Sequence, residues 1–116
     1  MTPAPRSAII VRRGQVWWVD FDPARGSEIR KTRPAIVLTA NPLNRVRRTV
    51  IVVPLSSKQQ PRLPLVVPTP SVGRDAVAIC DQMRAVDRTR LRSVLGTLHP
   101  EEIKAIEDAV RSILRL

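Results

Sequence analysis

A mainly β fold with α elements, built as a small, strongly curved barrel-like sheet capped by a C-terminal helix, follows from three observations. The apolar runs are short and rich in β-branched residues, eleven prolines are scattered among them, and one segment of helical period closes the 116-residue chain. That length suits one domain around one core. Residues 1–11 read as a flexible N-terminal tail and residues 12–116 as the single domain.

GQVWWVDFD, residues 14–22, is the first strand, with Trp17, Val19 and Phe21 on one face and Val16, Trp18 and Asp20 on the other. Its three aromatic residues are expected to build core. Pro23 and Gly26 then open a loop. In KTRPAIVLT, residues 31–39, a charged Arg33 stands directly before Pro34, whose ring pushes the preceding residue towards an extended backbone. Arg33 is therefore held straight at the mouth of the buried run AIVL.

ANPLNRVRR reads as a loop, and TVIVVPL, residues 49–55, as a second central strand that ends at SSKQQP. Shorter strand candidates follow at PLVV (64–67), AVAICDQMRAV (76–86) and SVLGTL (93–98), with a helical turn at DRTRLR between the last two. In PEEIKAIEDAVRSILRL, Ile103, Ile106, Val110 and Ile113 fall at helical spacing, with Glu101 and Glu102 in the first turn and Arg115 in the last. His99 precedes Pro100, which places it at or beside the N-cap. The apolar stripe of this helix is open to two roles, packing on its own sheet or against a second copy.

Twenty Lys and Arg against ten Asp and Glu give a formal charge of +10, which calls for a polyanionic partner, nucleic acid or an acidic protein. From Pro23 to Arg74 ten basic residues face a single acid, Glu28. The lone Cys80 lies in an apolar run and reads as a small buried thiol in a reducing compartment. MTPAPRSAIIV is too short in apolar residues for a signal-peptide core or a membrane span, so the expectation is a soluble cytoplasmic protein.

One histidine and no tyrosine exclude a two-histidine acid–base pair and a His-rich metal site, and no G-x-S-x-G elbow occurs. Asp20 and Asp22 offer oxygens for magnesium, although Asp22-Pro23 reads better as a turn opener. Chemistry without a cofactor then falls to Arg, Lys, Ser, Thr, Asp, Glu or the substrate itself. RNA supplies its own nucleophile, the 2′-hydroxyl, so a protein need only move protons and stabilise charge at phosphorus. DNA lacks that group.

The motif order RRGQVWWVDFDPARGSEIRKTRPAIVL, NRVRRTVIVVPLSS, AICDQMRAVD and LGTLHPEEI resembles the MazF/PemK toxins of bacterial toxin–antitoxin pairs over roughly residues 12–115. The resemblance implies a small SH3-like barrel, a homodimer, and sequence-specific, metal-independent cleavage of single-stranded RNA. It also implies neutralisation by an antitoxin whose acidic, flexible segment occupies the same groove. By the family pattern the arginine before proline, Arg33, takes part in proton transfer and phosphate stabilisation, and Ser56 donates to the phosphate oxygens. Ser27, Glu28, Ser57, Lys58, Asp81 and Gln82 fall at positions that contact RNA. Some relatives carry histidine where this chain has Ser27 and arginine where it has Ile79, which shifts more of the chemistry onto Arg33.

Two alternatives share these features. A gyrase poison has the same fold but acts through a terminal Trp-Gly-Ile, whereas this chain ends Ile113-Leu114-Arg115-Leu116. A non-catalytic nucleic-acid-binding barrel would bind in a strongly salt-dependent way and release no product.

Overall fold

A computed structural model describes residues 10–21 and 32–116. Along the chain these form β1 (Gln15–Asp20), β2 (Thr32–Val37), α1 (Asn41–Val46), β3 (Thr49–Ser56), β4 (Val66–Pro68), β5 (Val77–Ile79), β6 (Arg84–Asp87), β7 (Leu91–Thr97) and α2 (Pro100–Leu114). Short 3-10 turns occupy Pro70–Val72, Cys80–Gln82 and Arg88–Arg90.

The strands pair antiparallel in the order β4-β5-β3-β2-β1-β7, with β6 also beside β3. β6 pairs with β3 and β7 with β1, yet only the turn Arg88–Arg90 separates them in sequence. The five strands β6-β3-β2-β1-β7 must therefore curl until their outer members meet at that turn. Among the described residues no ladder joins β6 to β7, so the expected barrel curvature is present while the barrel stays open. Asp87, still paired with Thr49 of β3, accepts from the Thr89 backbone N at 2.9 Å and so caps the turn that leads into β7.

Two cores lie on the two sheet faces. The concave one holds Trp17, Val19, Phe21, Ala35, Val37, Val50, Val52, Val86 and Leu91, residues that alternate along their strands as a half-buried pleat requires. The outer face, with Val16, Ile36, Val53, Leu55 and Ala78, packs against α2 through Ile106 and Ala109. The helix stripe thus packs on its own sheet. Gly14 permits the close approach: it takes φ +93° before β1, and a Cβ there would lie 2.9 Å from Ile103 Cδ1.

Pro54 sits inside a central strand, where a missing N–H normally breaks a ladder. Leu38 N donates to Ile51 O, and this alternation turns the nitrogen of Pro54 away from β2. On that other side β6 has ended at Val52 and β5 begins only at Leu55. The proline therefore faces the gap between two partners, where no donor is needed.

Four expectations are corrected. ANPLNRVRR holds the helix α1, whose six residues are too few to show a period; Pro42 starts it, and the buried Asn44 ties it down by donating to Thr39 O at 2.7 Å. The run 76–86 is two strands, because the turn Cys80–Gln82 breaks it where it passes Pro54. Trp18 is 37% exposed, since β1 shows that side chain on the outer face beyond the reach of α2. Val11, expected in the tail, is buried in the concave core; residues 1–9 lie outside the described residues.

The N-terminus of α2 is locked as expected, with His99 at the N-cap. Glu102, 7% exposed, accepts from the His99 backbone N at 2.8 Å, from Ser71 N at 3.0 Å and from the Ser71 hydroxyl. One carboxylate thereby closes the helix cap and anchors the turn Pro70–Val72 to it.

Candidate active site

Arg33 is the second residue of β2 and lies opposite Val19 of β1. Strand alternation puts it on the face of Ala35 and Val37, but at the open end of the strand, where it is exposed. The β2–β3 ladder runs from Val37↔Val52 to Ala35↔Pro54. Carried two residues further, the same register sets position 33 against position 56. Arg33 and Ser56 thus occupy the same end and, by alternation, the same face of neighbouring strands, whose spacing is about 5 Å.

Ser56 ends β3 beside Val77 of β5 and is half-buried. Its Oγ accepts from the Lys58 backbone N at 3.1 Å, which occupies a lone pair and leaves the hydroxyl proton available to an incoming acceptor. Ser57 and Lys58 are exposed in the loop that follows. The side chains of Arg33, Lys58 and Arg62 make no ion pair among the described residues, so their charge is available to phosphate.

Asp81 and Gln82 stand exposed on the 3-10 turn beside the Pro54 gap. With Gln59, Gln60 and Arg62 they line a cavity of about 450 Å³ that begins three residues after Ser56. Ser27 and Glu28 lie outside the described residues, as does Asp22.

Asp20 is 3% exposed and accepts from Arg92 Nη2 at 2.9 Å, while its carbonyl accepts from Arg90 Nη1 at 3.2 Å. Its carboxylate is committed to joining β1 to β7. Among the described residues no three His, Cys, Asp or Glu side chains stand close enough together to hold a metal ion. Sequence reasoning did not pick out Arg92, nor Arg13, whose guanidinium bonds Glu107 at 2.6 Å and Leu38 O at 2.9 Å. Neither partner is local in sequence, so no spacing rule reaches them. Arg62 was also missed; its cue was a basic residue in a loop already expected to contact the substrate.

Burial, with the nearby Asp81 carboxylate behind it, pushes the Cys80 thiol from 9.0 up to about 11. At pH 8 iodoacetamide should therefore alkylate Cys80 in the folded protein about 100-fold more slowly than an ordinary exposed thiol, before any further loss from restricted access. Labelling at the rate of a free cysteine would show that the turn 80–82 opens.

Fold and site together define a curled-sheet domain that presents cations and a hydroxyl from one open end of its central strands. A comparison with known families specifies it: the family described as PemK-like, MazF-like toxin of type II toxin–antitoxin system matches residues 12–114, and the chain belongs to it. Endoribonuclease MazF9 of Mycobacterium tuberculosis is 34% identical over 116 residues, covering 92% of this chain and 98% of the relative. The endoribonuclease toxin MazF of Escherichia coli K12 is also 34% identical, over 102 residues, covering 87% and 91%. Among solved structures, a MazE-MazF crystal structure from Deinococcus radiodurans superposes with a TM-score of 0.82 at 26% identity, over 92% of this chain and 97% of the other. No helix among the described residues is long and apolar enough to cross a membrane.

Proposed function

We propose that this protein is the toxin of a toxin–antitoxin pair and acts as a sequence-specific, metal-independent endoribonuclease on single-stranded RNA. Family membership and relatives named as endoribonucleases support the activity. The observation that supports the site is the β2–β3 ladder ending at Ala35↔Pro54, whose continuation by two residues sets Arg33 against Ser56 at one end of β2 and β3.

In the proposed reaction the 2′-oxygen attacks the adjacent phosphorus and the bond from phosphorus to the 5′-oxygen breaks. A 2′,3′-cyclic phosphate and a 5′-hydroxyl result; one proton leaves the 2′-hydroxyl and one reaches the departing oxygen. Arg33 offers a planar fork of donors to the phosphoryl oxygens and takes part in the proton transfer. Ser56 donates its hydroxyl proton to the charge that develops at phosphorus. Ser27, Glu28, Ser57, Lys58, Asp81 and Gln82 hold the flanking nucleotides. The protein works in the cytoplasm as a homodimer, and an antitoxin with an acidic, flexible segment competes for the same basic groove.

Purified protein incubated in chelator with a long single-stranded RNA and the matching DNA tests this reading. Discrete cuts in RNA alone, with 5′-hydroxyl ends, are expected. Intact RNA would remove the nuclease, and cutting that needs added magnesium would remove the metal-independent route.

A further inference from the structure

The cavity beside Ser56 has the architecture of a base-reading pocket. Its first wall is the tight turn Arg62–Val66, closed by Arg62 N donating to Val66 O at 2.9 Å and Val66 N to Arg62 O at 2.8 Å. Its second wall is the turn Cys80–Gln82. The two are stitched together, because Val66 pairs with Ile79 and Cys80 N donates to Leu65 O at 2.9 Å. Leu65, Val66 and Ile79 supply an apolar surface between them, suited to the face of a flat ring. At about 450 Å³ the space lies low in the range of small-ligand pockets, which is ample room for a nucleobase.

Polar groups at the rim decide which base fits. The amides of Gln59, Gln60 and Gln82 both donate and accept, so they suit any base after a flip. Asp81 and Arg62 discriminate, because a carboxylate only accepts and a guanidinium only donates. Both are exposed, and neither is engaged in an ion pair or side-chain hydrogen bond among the described residues.

Guanine alone presents two adjacent N–H donors, N1 and N2, and two adjacent acceptors, O6 and N7, so it satisfies both forks at once. Adenine and cytosine set a ring acceptor beside their amino group, which would face the second carboxylate oxygen. Uracil flanks its one N–H with carbonyls on both sides. We infer that this cavity is a guanine pocket in which Asp81 takes the N1 and N2 hydrogens and Arg62 binds O6 and N7.

The inference rests on the ribonuclease reading for the source of the guanine, a base of single-stranded RNA. Its position follows from the sheet: Val77 lies opposite Ser56, and the pocket wall at Ile79 is two residues on, about 7 Å along the strand. The guanine is therefore placed within two nucleotides of the scissile phosphate.

Titration calorimetry with 5′-GMP, IMP, AMP, CMP and UMP, alongside cut-site mapping on a random-sequence RNA, tests this. GMP should bind at least about 10-fold more tightly than the other four, IMP included because inosine lacks the N2 amino group. Asp81→Asn should bring GMP and IMP within about threefold of each other, and Arg62→Gln should weaken GMP about 10-fold with the thermal transition unchanged. Guanine should recur at one position within two nucleotides of each cut, and that preference should fade in Asp81→Asn. RNA cutting with no guanine preference, or GMP bound no better than IMP, overturns the pocket and leaves the ribonuclease standing. Selective GMP binding without any cutting supports the pocket as a guanine-nucleotide site and removes the ribonuclease.

Discussion

Arg33→Ala should keep the fold and lower RNA cleavage by about 100- to 1,000-fold, the usual cost of removing one preorganised donor from a developing oxyanion. Stability should hold within about 0.5 kcal/mol, because Arg33 is an exposed strand-end residue with no ion pair among the described residues. Arg33→Lys separates charge from geometry. Lysine keeps the positive charge but loses the planar fork, so activity should recover only in part. Ser56→Ala should fall by a similar factor, whereas Ser56→Thr retains the hydroxyl and should stay active. The readout is the single-turnover rate on one RNA, with near-UV circular dichroism as the check on folding. An Arg33→Ala protein that cuts at the normal rate would sink the assignment of this residue, and an active Ser56→Ala would sink its partner.

Glu102→Gln should be the most informative stability variant away from the site. The wild-type carboxylate is 7% exposed and accepts three hydrogen bonds, two from Ser71 and one from the His99 backbone. Burial acts to raise its pKa, but the hydrogen bonds from Ser71 and His99 outweigh it and hold the group below its ordinary 4.5. Hydrogen bonds to a charged acceptor contribute about 1.5–3 kcal/mol each, and glutamine keeps part of that geometry, so a loss of about 2–3 kcal/mol at pH 7 is expected.

A group whose folded pKa is depressed stabilises the protein above its unfolded pKa, and that contribution fades as pH falls through the folded value. The gap between wild type and Glu102→Gln in urea midpoints should therefore narrow as pH drops below about 4.3. A gap that is constant from pH 7 to pH 3 would mean that the carboxylate charge is not what holds α2 to the turn Pro70–Val72.

Local rules worked wherever one segment carries its own reason. The alternation of Trp17, Val19 and Phe21, the period of Ile103, Ile106, Val110 and Ile113, and the Pro100 start of α2 all express constraints within a few residues, and each is met in the fold. Rules of that kind failed at α1, which has six residues and is fixed by Asn44 reaching back to Thr39 O, and at the run 76–86, which breaks because β3 must serve two partners. Trp18 shows the same limit. Its strand face was legible, but whether the helix reached far enough to cover it was a matter of packing.

The site divides along the same line. The sequence alone determined that Arg33 would be extended and exposed before Pro34, that Ser56 would end a buried strand, that Cys80 would be a buried thiol and that the charge would favour a polyanion; each follows from backbone sterics, apolar patterning or composition. Only the tertiary structure decided that β2 and β3 pair in the register Ala35↔Pro54, whose continuation leads position 33 towards position 56, that Asp20 is taken by Arg92, and that Arg62 and Asp81 face one cavity. Those pairings join residues about 20 to 70 positions apart. Nothing local encodes such distances, since it is the pairing of antiparallel strands and the curl of the sheet that bring them together.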